Sequence, residues 1–250
     1  MQLEFLTSVD STMAYLQRLP DDVTTDDLYV VVAETQTAGR GQRGTHWESE
    51  SGKNLTLGLR VHPTFLKADE QFRLSEVTAL AIAEALDLYT DGISIKWPND
   101  IYWNDRKICG MLLEHDLRGS EIACTRIGPG ININQRQFFS DAPNPVSLYQ
   151  ILGHDTDLTT FLHQFLQRFS STYATLRSGA RQSIDWQYHQ RLYRREGLFP
   201  YADAQGTFRA RLIGVLPDGT LQLEDEVGRL RKYAFKEVRF VVPLPTTAPA

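Results

Sequence analysis

Apolar and polar positions along the chain follow two periods, and the changes between them outline its elements. Leu28 to Ala33 reads Leu-Tyr-Val-Val-Val-Ala, an unbroken apolar run of strand length. Leu55 to Val61 alternates apolar with small or polar residues, which predicts a strand with one open face. From Gln71 to Tyr89 the apolar residues fall at 72, 74, 77, 80, 81, 85, 86 and 88, predicting a helix with core on one face. Three more strands are predicted in close succession, at Ile93–Trp97, Lys107–Glu114 and Ile122–Ile127, with a hairpin turn at Asn104-Asp105. Gly128-Pro129-Gly130 then breaks the pattern. Helical period returns over Leu158–Leu176 and Ile184–Arg194. Near the start, Asp10-Ser11-Thr12 can cap a short helix that runs to Leu19 and is stopped by Pro20.

Hairpins mixed with helical crossovers favour an α+β fold with a mixed sheet over a doubly wound parallel sheet. The composition changes at Glu196-Gly197. Beyond it, short strands separated by turns at Ala204-Gln205-Gly206, Pro217-Asp218-Gly219 and Val227-Gly228 predict a small barrel. The expected organisation is a mixed-sheet domain over residues 1–195, a small β domain over 196–243, and a disordered Pro/Thr/Ala-rich tail over 244–250.

Composition narrows the classes. The 250 residues are 42% hydrophobic and 23% charged with net charge -5, values of a folded globular chain, which exclude disordered and fibrous classes. The acidic balance argues against nucleic-acid backbone binding as the main task. No apolar run approaches the roughly 18 residues that span a bilayer; the longest candidate, Ala79 to Leu88, is interrupted by Glu84 and Asp87. Met1-Gln2-Leu3-Glu4 lacks the basic start of a signal peptide. Two cysteines, Cys109 and Cys124, make no disulfide framework, so a reducing cytoplasm is the expected compartment. The six histidines form no cluster, and no histidine metal site is expected.

Gly39-Arg40-Gly41-Gln42-Arg43-Gly44 fits G-x-G-x-x-G after a strand. A dinucleotide fold needs a helix starting inside that motif. Here Trp47-Glu48-Ser49 and Ser51-Gly52-Lys53 follow and then a strand, so that reading fails. The Walker pattern fails too, for want of a Lys-Ser/Thr pair. The segment reads either as a solvated surface turn or as an anion site. In the second reading glycine backbone N–H groups form a nest, and Arg40 and Arg43 add forked donors.

Farther along, Lys96-Trp97-Pro98-Asn99-Asp100 precedes Lys107, which opens an apolar strand. Alternation puts Lys107, Cys109 and Met111 on one face and Ile108, Gly110 and Leu112 on the other. Lys107 reads as an edge-strand guard or as a cation holding a negatively charged oxygen. Trp47 and Trp97 can pack on a ligand or fill core, and Asp100 can meet Mg²⁺ on phosphates or simply shape a turn.

Taken in order, these segments resemble the biotin protein ligases. The matches are Asp10-Ser11-Thr12, Gln36 with Ala38-Gly39-Arg40-Gly41, Arg43-Gly44 with Trp47, Lys96-Trp97-Pro98-Asn99-Asp100, Lys107 with Gly110, and Gly128-Pro129-Gly130-Ile131-Asn132-Ile133-Asn134. The all-β end is similar to the SH3-like C-terminal domain of that family, behind a biotin/lipoate-ligase-type catalytic domain. The chain begins too close to these motifs for the winged-helix DNA-binding domain of some members, so an enzyme-only type is expected.

The resemblance implies ATP-dependent activation of biotin to biotinyl-5'-AMP, then transfer to a lysine of a biotin carboxyl carrier protein. It implies that Ser11, Thr12, Gln36, Gly39, Arg40, Trp47 and Gly110 bind biotin. Arg40, Gly41, Gln42, Arg43, Lys107 and Asn132 would bind ATP and the adenylate, with Lys107, Arg40 and Arg43 catalytic. Asp100 is the candidate Mg²⁺ ligand, and no tightly bound cofactor is expected. A reactive anhydride must be kept from water, which a Gly-rich closing loop can do. No nucleophilic side chain is needed, so Cys109 is read as core.

Two departures stand out. Met13 occupies a position commonly Asn in the family, which loses one polar contact candidate near the ligand, and Gln42 occupies one commonly Arg, a change that predicts weaker adenylate retention. The alternatives are a lipoate or octanoate ligase or transferase, and a non-catalytic binding regulator on the same scaffold. No nucleic-acid or membrane partner is expected; homodimerisation is left open.

Overall fold

The structure is a computed structural model, and it describes residues 1–20, 28–41, 46–140, 142 and 144–242. Expectations for Gln42, Arg43 and the tail 244–250 lie outside the described residues.

A seven-stranded sheet carries the first part of the chain, in the order β1-β2-β3-β7-β6-β5-β4. Its strands are β1 (Gln2–Val9), β2 (Leu28–Gln36), β3 (Leu55–Val61), β4 (Ile93–Lys96), β5 (Asp100–Trp103), β6 (Arg106–Arg118) and β7 (Glu121–Ile131). Only β1 and β2 run parallel; the other pairs are antiparallel. The sheet is therefore mixed, as the hairpins required. β1 is an element the periodicity does not announce. It is half exposed at the sheet edge, where pairing with β2 defines it.

The expected open face of β3 is not there. All seven of its residues are buried. Helix α1 (Thr12–Arg18) covers the second face, and it comes close because Gly58 has no side chain: a Cβ there would lie 2.7 Å from Leu16 and 3.2 Å from Thr12. Helix α2 (Phe72–Leu86) departs in the same direction. Instead of one core face it is buried almost all round, between the sheet and helices α4 (Leu158–Arg177) and α5 (Arg181–Gln190). Its charged residues survive burial by pairing. Arg73 reaches Asp185, Glu70 at 3.3 Å and Glu76 at 3.9 Å. Burial, reinforced by Asp185, pushes the Glu76 carboxyl up to about 8. The short helix α3 (Leu148–Leu152) is capped by Ser147. The helical period expected to reach Arg194 ends at Gln190, where α5 turns back toward the sheet; Arg194 has φ 60°.

Gly128-Pro129-Gly130 does not break the strand. β7 runs through it to Ile131. Proline is tolerated because the β3–β7 ladder has a gap there: Thr56 faces Gly130, then Leu59 faces Ile127, with no pair between. Gly128 sits in the gap, where a Cβ would lie 2.8 Å from Met13. Met13 of α1 thus packs into a hole in the sheet.

The second sheet has five antiparallel strands in the order β11-β10-β9-β8-β12. They are β8 (Phe199–Asp203), β9 (Gly206–Val215), β10 (Leu221–Asp225), β11 (Leu230–Tyr233) and β12 (Arg239–Phe240). The arrangement is compatible with a small SH3-like barrel. Tyr201, Ala210, Leu221 and Leu223 continue the core of the first part without interruption. Two polar anchors join the parts: Trp97 donates its indole N–H to Gly219 O at 2.8 Å, and Val215 N–H donates to His189 Nε2 at 2.9 Å.

Candidate active site

One cleft of about 970 Å³ lies where α1, the open gap of the sheet, the hairpin β5–β6 and the second sheet meet. Its near end is built by α1. Ser11 caps that helix, its Oγ accepting from Ala14 N–H at 3.1 Å. Thr12 donates both its N–H (2.7 Å) and its hydroxyl (3.1 Å) to Gln36 Oε1. With the carbonyl oxygen held twice, the Gln36 amide NH₂ is turned toward Gly39. This end presents hydroxyls and one oriented amide, a suitable lining for a neutral polar ring.

The floor is the glycine pair Gly110 and Gly130, opposite each other in β6 and β7. The Trp47 indole lies across both. A Cβ on Gly130 would sit 2.5 Å from Trp47 Cε2, and one on Gly110 would sit 3.1 Å from Cζ3. The Trp47 Nε1 is buried and has no hydrogen-bond partner. Residues on either side of the Gly-rich loop form a narrow neck: Trp47 N–H donates to Gly39 O at 3.1 Å, and Arg40 pairs with His46. Gly39 does not adopt a positive φ. Glycine is needed there because a Cβ would lie 2.9 Å from Trp47 O. Arg40 and Gly41 line the cleft, with Arg40 exposed.

Lys107 reaches this floor because the simple alternation fails. Ile101 pairs with Cys109 but Tyr102 pairs with Lys107, so Ile108 is an extra residue, a β-bulge. The bulge turns Lys107 onto the face of Gly110, where its Nζ lies 3.0 Å from the position of a Gly110 Cβ. Cys109 is left in the core, fully buried, and burial pushes its thiol pKa far up. That fits an inert core residue. Lys107 Nζ lies 2.6 Å from Asp100 Oδ1 and 5.7 Å from the Trp47 ring centre. Lys96 meets the other oxygen of Asp100 at 3.6 Å. Burial pulls the Lys96 ammonium pKa down, and the nearby Lys107 adds to that.

At the far end Asn132 is 2% exposed. Its Nδ2 donates to Val146 O at 3.1 Å, while its Oδ1 is buried without a partner. The rim beside it is Phe138 and Phe139, the latter 84% exposed. Glu48 ties this rim to the segment after Trp47. Its carboxylate accepts from Phe139 N–H at 2.9 Å, Ser140 N–H at 2.8 Å and Gln135 Nε2 at 3.1 Å. Those hydrogen bonds outweigh burial and hold the Glu48 pKa below its ordinary value.

The cleft thus gathers Ser11, Thr12, Gln36, Arg40, Gly41, Trp47, Asp100, Lys107, Gly110 and Asn132, with Gly39 just behind Trp47. Gln42 and Arg43 lie outside the described residues. Residues that the sequence reading left without a role are also here: Lys96, Glu48, Lys236 from the turn before β12, and Arg239 and Phe240 of β12. Lys96 was visible inside its motif. Nothing in the sequence connects the second sheet to this place.

The profile of the biotin/lipoate A/B protein ligase family matches residues 5–132, just over half of the chain, and the chain belongs to that family. Among curated relatives, the bifunctional ligase/repressor BirA of Bacillus subtilis is 30% identical over 213 residues, covering 82% of this chain and 64% of that protein. The biotin--[acetyl-CoA-carboxylase] ligase of Paracoccus denitrificans is 35% identical over 154 residues, covering 58% of this chain and 63% of that one. The chain therefore spans a little under two thirds of these relatives' length. Among solved structures, the biotin protein ligase from Aquifex aeolicus in complex with biotin and ATP superimposes with TM-score 0.79 at 26% identity, over 96% of this chain and 99% of that one. Among the described residues no helix is long and apolar enough to cross a membrane.

Proposed function

We propose that this chain is a biotin–[biotin carboxyl-carrier protein] ligase, which joins biotin to ATP as biotinyl-5'-AMP and then transfers biotin to a carrier lysine. The observation that carries the reading is the place of Lys107: an ammonium over a glycine floor, between a polar pocket at Ser11, Thr12 and Gln36 and an unpartnered acceptor at Asn132.

In this reading the biotin ring end lies by Ser11, Thr12 and Gln36, whose donors and acceptors match a ureido group. Its carboxylate extends over Gly110 and Gly130, where the absence of side chains leaves room. Attack of that carboxylate on the α-phosphate brings two anions together. Lys107 and Arg40 neutralise the charge that builds up, and the product is a mixed anhydride with pyrophosphate leaving. Arg43 is proposed for the same task. Gly41 and Gln42 are proposed as adenylate-binding residues, and Asn132 Oδ1 accepts from the adenine amino group. Trp47 covers the anhydride against water. A carrier lysine then attacks the acyl carbon, AMP leaves, and the amide forms.

Mg²⁺ enters with ATP as part of the substrate. Asp100 fits it less well than the sequence suggests, because both its carboxylate oxygens face lysine ammonium groups. Asp100 is better read as the partner that holds those lysines. We further propose the domain division at residues 195 and 196, a cytoplasmic location, and action without nucleic acid. Pairing of two copies, if it occurs, would use the β1 edge, since the 191–193 segment already bonds to the outer edge of β4. The test is pyrophosphate exchange into ATP with biotin, lipoate and octanoate compared side by side. Exchange with biotin alone supports the reading; exchange with lipoate or octanoate, or with none, overturns it.

A further inference from the structure

Two lysines grip one carboxylate from opposite sides, Lys107 at 2.6 Å and Lys96 at 3.6 Å from Asp100. Lys107 faces the open cleft. Lys96 lines the same cleft but is less exposed, its ammonium lying between two aromatic rings, 5.2 Å from the centre of Tyr102 and 5.2 Å from the centre of Phe240. Tyr102 belongs to β5, in the same sheet as Lys96. Phe240 comes from β12 in the second sheet.

β12 has only two residues, yet it is tied on every side. Arg239 and Phe240 pair with Ala202 and Tyr201 of β8. Val241 N–H donates to Pro200 O at 3.1 Å, and Arg194 Nη1 donates to Val241 O at 3.1 Å. The Phe240 ring meets Tyr201 edge-on at 4.9 Å and Tyr193 at 6.1 Å, and Tyr193 in turn meets Tyr102 at 5.2 Å. These contacts fix the ring of Phe240 over Lys96.

We infer that Phe240 is a positioning residue for adenylation: its ring holds the Lys96 ammonium against Asp100, and Asp100, gripped from one side, keeps Lys107 aimed at the reacting oxygens. The inference deepens the biotin-adenylation reading and rests on it. A cation held over two rings loses freedom without losing charge, since the ring faces attract it. Lys96 then anchors Asp100 Oδ2, so Oδ1 stays available to Lys107. In this inference the second sheet acts on the chemistry through the Phe240 ring.

The test measures biotin-dependent pyrophosphate exchange in the full chain. Phe240→Leu keeps an apolar side chain but removes the ring face, and kcat falls about tenfold with KM for biotin within about twofold. Phe240→Tyr keeps the ring and restores kcat. Lys96→Met lowers kcat at least as far, and adding Phe240→Leu to it brings no further loss, because both act through the same contact. Should Phe240→Leu fail to fold, Phe240→Met carries the same expectation. Wild-type kcat in the Phe240→Leu or Phe240→Met variant overturns the inference. So do losses that multiply in the double variant, or a Tyr variant no better than Leu. The wild-type protein separates the two levels: without exchange in it the parent reading fails, and with exchange only the positioning role is in question.

Discussion

Replacing Lys107 by Met removes one positive charge while keeping most of the side-chain length. Its Nζ sits 2.6 Å from Asp100 and over the Gly110 floor. Two effects follow, and they differ in size. For stability, the Lys107 side chain is 30% exposed and Asp100 keeps its contact with Lys96, so the lost pair amounts to less than about 1 kcal/mol. For a chain of this size that moves Tm by no more than about 2–4 °C. For catalysis, in the proposed reaction the charge that builds between carboxylate and α-phosphate loses a fixed cation. A unit charge at about 4 Å with an effective dielectric near 20 is worth roughly 4 kcal/mol. Loss of one preorganised oxyanion donor typically costs about 10²–10³ in rate. The two scales agree, so kcat for exchange should fall about 10²–10³-fold. Exchange of labelled pyrophosphate into ATP at saturating biotin reads kcat, and scanning calorimetry reads Tm. A variant within threefold of wild-type kcat would refute the placement of Lys107 at the reacting oxygens. A Tm loss of about 10 °C would show that Lys107 acts on the fold instead.

Three more expectations use other parts of the site and core. Gly130→Ala places a Cβ 2.5 Å from the Trp47 ring, so the indole must leave the floor; tryptophan fluorescence should change and biotin KM should rise about tenfold, whereas unchanged values would mean that the ring does not lie there. Glu48→Ala releases Phe139 and Ser140 N–H groups, and ATP KM should rise at least fivefold with biotin KM less affected; equal effects on both would count against a rim clamp. Glu76 binds its proton more tightly folded than unfolded, so stability is lost as pH rises from its ordinary value of 4.5 toward 8. His115, whose pKa burial and Arg126 lower to about 4, works oppositely, with stability gained as pH rises toward 6.5. Between pH 6.5 and 8 Glu76 therefore acts without that opposition, and Tm should fall there in the wild type and stay flat in Glu76→Gln; a fall of equal size in both would reject the assignment.

What the sequence could show was whatever depends on near neighbours. The cap at Ser11, the hairpin at Asn104-Asp105 and the long period of α4 are local, and they stand where the pattern puts them. So do the mixed sheet and the turns of the second sheet. The errors come from partners far along the chain. Pro129 stays in a strand only because β3 leaves a gap opposite it. Lys107 changes face because one residue bulges against β5, and period-two counting has no term for an extra residue. The polar positions that promised open faces on β3 and α2 are covered by α1 and by α4 with α5. For the candidate site the motifs named residues that, where described, meet in one cleft, but as a set without arrangement. The clamp from Glu48 and the ring of Phe240 over Lys96 were not legible, since each joins segments with no shared pattern.

The central claim is that biotin is activated in this cleft before any carrier protein arrives. The purified chain, mixed with biotin and MgATP and no acceptor, should form biotinyl-5'-AMP and pyrophosphate, at most one adenylate held per chain, detectable by mass spectrometry and discharged on adding a biotin carboxyl carrier domain. Release of ADP and phosphate in place of pyrophosphate, or an adenylate formed from lipoate or octanoate but not from biotin, would contradict it.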